Sequence, residues 1–433
     1  MRLFSNNKLK VLKFTALSGN RLFQDFVLLD GSDESGFTEG ECILALDECE
    51  IPYTNSQTLP RVFAENIPKF ADSQWHFGFV SYDYKNQLEL LNSCHPDRLQ
   101  FPEIHFFNPA LILRLEGTGF TVLKNKKGIP TEEIDAIFGT NEPADNNHKS
   151  QSSVRIKARL TREEYISRVN KVKTEIRQGE IYELNFCLEF YSENVVIDPW
   201  QVYSRLKTIS PAPFSAFCRF GDKYLLSSSP ERFLKKTGNR LVSQPIKGTR
   251  KRSEDTDQDL SLKNELRNNE KEQAENVMIV DLVRNDLSRI AQRGSVKVDE
   301  LFGIYSFPQV HQMISTVSCV LKPDTSFADI LKATFPMGSM TGAPKVSAMQ
   351  LIEEYEVTKR GIYSGALGFI RPDGDFDFSV IIRSILYDAS QKYLSFMVGS
   401  AITDLSDPEA EYEECLLKAK GMMEALNATL DQS

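Results

Sequence analysis

The sequence predicts an α+β protein in which helices cover β-sheets, and three observations carry that reading. Strand-like runs and long amphipathic helices share the chain without the regular alternation of a parallel βαβ array. With 433 residues, 41% of them apolar and 26% charged, the chain has an ordinary globular composition and enough length for a sizeable core. A polar stretch at 139–154, carrying Gly, Pro, Asn and Ser, reads as a linker or long loop between regions 1–138 and 155–430.

Before that stretch, the runs 27–29, 77–82 and 110–115 are aliphatic or aromatic and bounded by turn residues, as strands require. After it, Thr161 and Glu164 form a capping-box pattern, and Ile166, Val169, Val172 and Ile176 recur at helical spacing until Gly179. Further strands are predicted at 223–228, 362–370, 378–387 and 393–399, and helices at about 260–284, 344–357 and 408–425.

Composition removes several function classes. Sixty acids against 51 bases give a net charge of -9, and the basic residues form no stripe, which argues against nucleic acid. No window approaches the run of about eighteen apolar residues that a membrane span needs, and the N-terminus lacks a signal-peptide core. The seven cysteines are scattered and include no C-x-x-C pair, so they read as reduced thiols of a cytoplasmic protein. Five scattered histidines without H-E-x-x-H spacing leave, for any metal, a hard ion held by carboxylates.

Four constellations could carry chemistry. Glu272 and Glu275 lie three apart on one predicted helix, and Glu411 and Glu414 repeat that spacing on another, which begins at Asp407-Pro408. Two such pairs could converge on Mg²⁺; a solvated charged face is the alternative. The segment 337–345, with Gly338, Ser339, Thr341 and Gly342 ahead of a helix, suits an anion or is an ordinary capped turn. Lys247, between Pro245 and Gly248, is either a solvated charge or a nucleophile. Glu231 in SSPERF ends a strand, as a general acid or base or as a partner of Arg232.

Taken in order, SSSPERF, PIKGT, AENVMIVDLVRNDL, GSMTGAPK, RGIYSGALGF and SDPEAEYEE resemble the chorismate-utilising enzymes, the family of anthranilate, aminodeoxychorismate, isochorismate and salicylate synthases. The likeness is strong over 155–428 and weaker before it, through Gly78-Phe79 and Tyr82-Asp83. It implies two stacked, mostly antiparallel sheets flanked by helices. It also implies that Glu275 and Glu414 hold Mg²⁺ against the ring carboxylate of chorismate, supported by Glu272 and Glu411. Tyr363 and Arg383 would bind a substrate carboxylate, Ser339, Gly399 and Thr249 would complete the pocket, and Glu231 would be the general acid/base.

Within the family, Lys247 resembles the aminodeoxychorismate synthases, whereas anthranilate synthases typically carry alanine there. The implied route is covalent: Lys247 attacks C2 as the C4 hydroxyl leaves, then ammonia attacks C4 and expels the lysine. Such an amine must be partly deprotonated, so a depressed Lys247 pKa is expected. The rival readings are anthranilate synthase and a catalytically silent chorismate-binding regulatory subunit.

Two departures stand out. Water-using relatives carry a lysine where Glu183 stands, and amine-using ones usually a glutamine. The family histidine aligns with Gln312, leaving His311 one residue early as its candidate substitute. No cysteine lies in a G-x-C-x-G turn, so ammonia is expected from a separate glutamine amidotransferase subunit or from solution.

Overall fold

Two sheets share a core in the computed structural model of this chain, which describes residues 23–31, 42–48, 73–116, 119–137 and 153–431. Among the described residues the larger has twelve strands. Its central run is Val154–Ala158, Glu183–Ser192, Tyr393–Ile402, Ser384–Asp388, Lys223–Ser229, Phe214–Phe220 and Phe23–Asp30. The smaller has nine, running from Ile246–Lys251 through Val310–Val320, Arg240–Gln244, Arg232–Thr237, Phe376–Val380 and Ala366–Ile370 to His76–Val80 and Ile104–Phe107. Pairing is antiparallel except between Ala428–Leu430 and Val154–Ala158. The fold is therefore the α+β sandwich that the sequence predicts.

Glu183–Ser192 shows how the sequence builds this arrangement. Its side chains alternate between the two faces, as every strand's must. Leu184, Phe186, Leu188 and Phe190 join the apolar cluster that contains Val169 and Val172 of helix Arg162–Gln178 and Cys415 and Met422 of helix Pro408–Ala425. Cys187 joins the cluster formed by inward residues of both sheets, including Met397, Phe79 and Leu367. Glu183, Asn185 and Glu189 occupy the same face as Cys187 and are buried there. Each apolar side chain so buried contributes about 1.5–3 kcal/mol, whereas the inward carboxylates need partners.

The early strands at 27–29, 77–82 and 110–115 are found as Phe23–Asp30, His76–Val80 and Leu111–Glu116. Residues 138–152, most of the polar stretch, lie outside the described residues. Elsewhere the boundaries move. The single helix expected at 260–284 is two, Thr256–Arg267 and Glu270–Ile290, because Asn269 caps the second by accepting a hydrogen bond from the Glu272 amide at 3.0 Å. The strand expected at 362–370 begins only at Ala366. The apolar run 378–387 is not one strand but the end of Phe376–Val380 in the smaller sheet and the start of Ser384–Asp388 in the larger. Arg383, at the crossing, has φ +50°.

The six described cysteines are free thiols. No helix among the described residues is long and apolar enough to cross a membrane.

Candidate active site

Lys247 lies on the edge strand Ile246–Lys251 and is buried. Its Nζ donates to Glu183 Oε1 at 2.6 Å and lies 4.0 Å from Glu275. Gly248 follows at φ +90°, a conformation open to glycine, and a Cβ there would meet Glu272 Oε2 at 3.0 Å. The expectation of a depressed lysine pKa is overturned. Burial pulls it down, but the carboxylates of Glu183, Glu275 and Glu231 outweigh burial and raise it above the ordinary lysine value. Lys247 rests as an ammonium, with Glu183 as its nearest proton acceptor.

Glu231 follows strand Lys223–Ser229 and is 5% exposed. Burial pushes its carboxyl up to about 7, against the opposing pull of the Ser339 hydrogen bond and of Lys247. It is not paired with Arg232, whose guanidinium engages Asp377 at 3.0 Å and 3.1 Å. Ser339 donates to Glu231 Oε1 at 2.6 Å. The glycine segment thus serves Glu231, and its Gly342 and Ala343 pair with Leu184 and Glu183.

Tyr363 is buried, and desolvation drives its phenol well up, so it acts as a neutral hydroxyl. Arg383 has its pKa lowered by burial, with Tyr363 opposing, and among the described residues no carboxylate pairs with it. A desolvated guanidinium without a counter-ion suits a substrate carboxylate. Charge-assisted hydrogen bonds contribute about 1.5–3 kcal/mol. Arg383→Met is therefore expected to raise the KM for a carboxylate substrate roughly ten- to hundredfold with kcat little changed, as steady-state kinetics would show. At Gly399 a Cβ would meet Asn185 Oδ1 at 2.3 Å, so a larger residue there would have to displace the Asn185 side chain.

Glu272 and Glu275 come from the first turns of helix Glu270–Ile290, Glu411 and Glu414 from helix Pro408–Ala425. Lys271 lies 3.8 Å from Glu275 and 4.0 Å from Glu411, so acids of the two helices face one cation. Glu272 pairs with Arg250 at 3.3 Å, Glu414 with Lys418 at 2.7 Å, and Glu411 accepts from the Ser400 hydroxyl. Among the described residues no three ligating side chains already converge. Burial, together with Glu183 and Glu272, pushes Glu275 up to about 7 despite Lys247 and Lys271. This negative, oxygen-only donor set fits a hard divalent ion.

His311, expected among the substrate residues, is held in a polar network of its own. It is buried, but its ring nitrogens contact Ser306 Oγ at 2.9 Å and Asp259 Oδ1 at 3.0 Å, in a network held by Arg252. Along Val310–Val320, His311 and Ser315 share the face on which Ser315 bonds Asn276 of helix Glu270–Ile290, and Gln312 takes the opposite face. Gln312 is buried and in register with the half-buried Thr249. Sequence reasoning also missed Arg360. Buried, it binds Glu356 at 2.6 Å and the carbonyls of Met340 at 2.6 Å and Asn185 at 2.8 Å, tying the Ser339 segment to the strand that carries Glu183. Its sequence signals were its place at the head of RGIYSGALGF and the i, i+4 spacing of Glu356 and Arg360.

The profile of the family described as "chorismate binding enzyme" matches residues 33–424. This chain belongs to the chorismate-binding enzyme family. It is 32% identical over 412 residues to aminodeoxychorismate synthase component 1 of Bacillus subtilis (strain 168), covering 93% of this chain and 85% of that protein. It is 40% identical over 353 residues to aminodeoxychorismate synthase component 1 of Salmonella typhimurium, covering 81% and 76%. Among solved structures, anthranilate synthase component I from Streptococcus pneumoniae TIGR4 superposes with a TM-score of 0.70 at 26% identity, covering 92% of this chain and 90% of that one.

Proposed function

We propose that this chorismate-binding enzyme is the aminating component of an aminodeoxychorismate synthase, making 4-amino-4-deoxychorismate for para-aminobenzoate and folate. The observation that carries the reading is a buried lysine, Lys247, with a carboxylate proton acceptor at 2.6 Å and a second, buried carboxyl poised near neutrality. Lys247 gives a proton to Glu183, and its lone pair attacks C2. The ring double bond shifts, and the C4 hydroxyl departs as water with the proton of Glu231. Ammonia then attacks C4, the C2–Nζ bond breaks, and the electron pair returns to Nζ, which recovers its proton from Glu183, while the new C4 ammonium gives a proton back to Glu231. Two displacements with allylic shift return nitrogen to the carbon that lost oxygen. Arg383 and Tyr363 fix the substrate during both.

Glu275 and Glu414, with Glu272 and Glu411 behind them, would hold Mg²⁺. Its chemistry would be neutralisation of the ring carboxylate. Ammonia would come from a glutamine amidotransferase subunit, in the cytoplasm, where thiols stay reduced.

Purified protein with chorismate, Mg²⁺ and ammonium tests the reading by mass spectrometry of the product. Aminodeoxychorismate is the expected product, and EDTA should lower its rate about a hundredfold or more, with recovery on adding Mg²⁺. Anthranilate and pyruvate, or chorismate bound without turnover, would overturn it.

A further inference from the structure

One guanidinium outside the substrate set holds three segments of the site together. Arg360 and Glu356 follow helix Lys345–Tyr355 and are each 3% exposed. Glu356 accepts from Arg360 Nε at 2.9 Å and Nη2 at 2.6 Å, and its Oε1 also accepts from the Cys187 amide at 2.9 Å. The remaining donors of the guanidinium hold the carbonyls of Met340 and Asn185. Asn185 in turn donates from Nδ2 to the Ser339 carbonyl at 3.1 Å. With the carbonyls of Ser339 and Met340 both held, the Ser339 hydroxyl meets Glu231 Oε1 at 2.6 Å. A buried ion pair adds little stability over apolar packing of the same volume, so the use of this one lies in the geometry it fixes.

We propose that Arg360, clamped by Glu356, is a positioning residue for the general acid: it fixes the turn Gly338–Met340 so that the Ser339 hydroxyl stays on Glu231. The inference rests on the amination reading above, in which Glu231 protonates the departing hydroxyl, and deepens it. Three groups oppose the effect of burial on Glu231: the Ser339 hydroxyl, the Lys247 ammonium and the Ile246 amide. Lys247 and Ile246 belong to a strand registered against Val310–Val320, and Arg232 is turned away to Asp377. Ser339 is in no ladder; pairing with strand Glu183–Ser192 begins only at Gly342. A turn freed from Arg360 would let the hydroxyl leave, and the Glu231 carboxyl, losing a donor to its charged form, would rise further. A weaker acid gives up its proton to the leaving hydroxyl less readily. The role needs arginine. Its planar fork engages a carboxylate along one edge and carbonyls from the other nitrogens, whereas lysine carries every donor on one atom.

The test compares pH profiles of turnover and of stability in the purified chain. Arg360→Lys, which keeps the charge, should lower kcat tenfold or more, leave the KM for chorismate within threefold, and move the falling limb of turnover up by about half a pH unit or more. Ser339→Ala should move the limb in the same direction, and adding Arg360→Lys to it should move the limb no further. The displacement should also appear without turnover. In urea titrations, the pH at which a chain loses stability against its own Glu231→Gln counterpart should be higher in Arg360→Lys than in wild type. A limb or a stability midpoint left unmoved in a folded Arg360→Lys, or a limb shift that adds to that of Ser339→Ala, would overturn the proposal. If Arg360→Lys fails to fold, Arg360→Met combined with Glu356→Gln removes both charges, keeps an acceptor for the Cys187 amide, and decides on the same criteria. A wild-type chain that forms no aminated product would overturn the functional reading instead, and the stability midpoints would still decide for or against the clamp.

Discussion

Lys247→Ala is expected to lower aminodeoxychorismate formation by about three orders of magnitude or more, because it removes the amine proposed as the nucleophile. The substitution also leaves Glu183 buried without a cation. Breaking a buried pair by removing one member costs about 3–5 kcal/mol, so the melting temperature should fall as well. The two effects can be separated. Lys247→Ala combined with Glu183→Gln removes the stranded charge, and should regain much of the thermal stability while remaining inactive. Intact-mass measurement under turnover, with ammonia withheld, should find a substrate adduct in the wild type and none in either variant. Full activity in Lys247→Ala would sink the covalent route.

Glu231→Gln should reduce kcat by about 10²- to 10⁴-fold, the range for loss of a general acid. The acid form is the active one at the step where hydroxyl leaves. With the carboxyl at about 7, wild-type turnover should fall as pH rises through that value, and the residual rate of the variant should lack this limb. Stability follows the same proton. The folded pKa lies above the ordinary glutamate value of 4.5, so the stabilising contribution is complete below that value and is lost as pH climbs through about 7. A neutral glutamine escapes the loss, so by pH 8 the variant should gain about 3 kcal/mol relative to wild type in urea titrations. Glu275, raised by burial in the same way, keeps some pH dependence in both proteins.

The sequence made the site's residue types legible because each stands in a short motif whose chemistry is local: a proline-flanked lysine, paired acids at helical spacing, a carboxyl at a strand end. What it hid depends on pairing between distant segments. Glu183 and Lys247 are 64 residues apart and belong to different sheets, so the raised rather than lowered lysine pKa could not be read from either neighbourhood. His311 and Gln312 differ by one position, and strand parity sends His311 to Asp259 and turns Gln312 to the opposite face, where its Oε1 has no partner. The run at 378–387 is broken only by Ser379, Arg383 and Ser384, which a single strand also tolerates, so its pattern alone does not place the sheet crossing that carries Arg383. Asn269 was visible as a residue but not as a helix start, since helix-forming sequence flanks it on both sides.

That sheet crossing also restricts how the chain can change by insertion or deletion. Phe376–Val380 is registered against Ala366–Ile370 in one sheet, and Ser384–Asp388 against Tyr393–Ile402 in the other. Three residues, Ile381, Ile382 and Arg383, span the gap. Lengthening or shortening that bridge by one residue would leave either sheet free to keep its own register but would move the guanidinium relative to both. The position proposed to grip the substrate is therefore one whose spacing cannot drift without moving the guanidinium relative to both sheets.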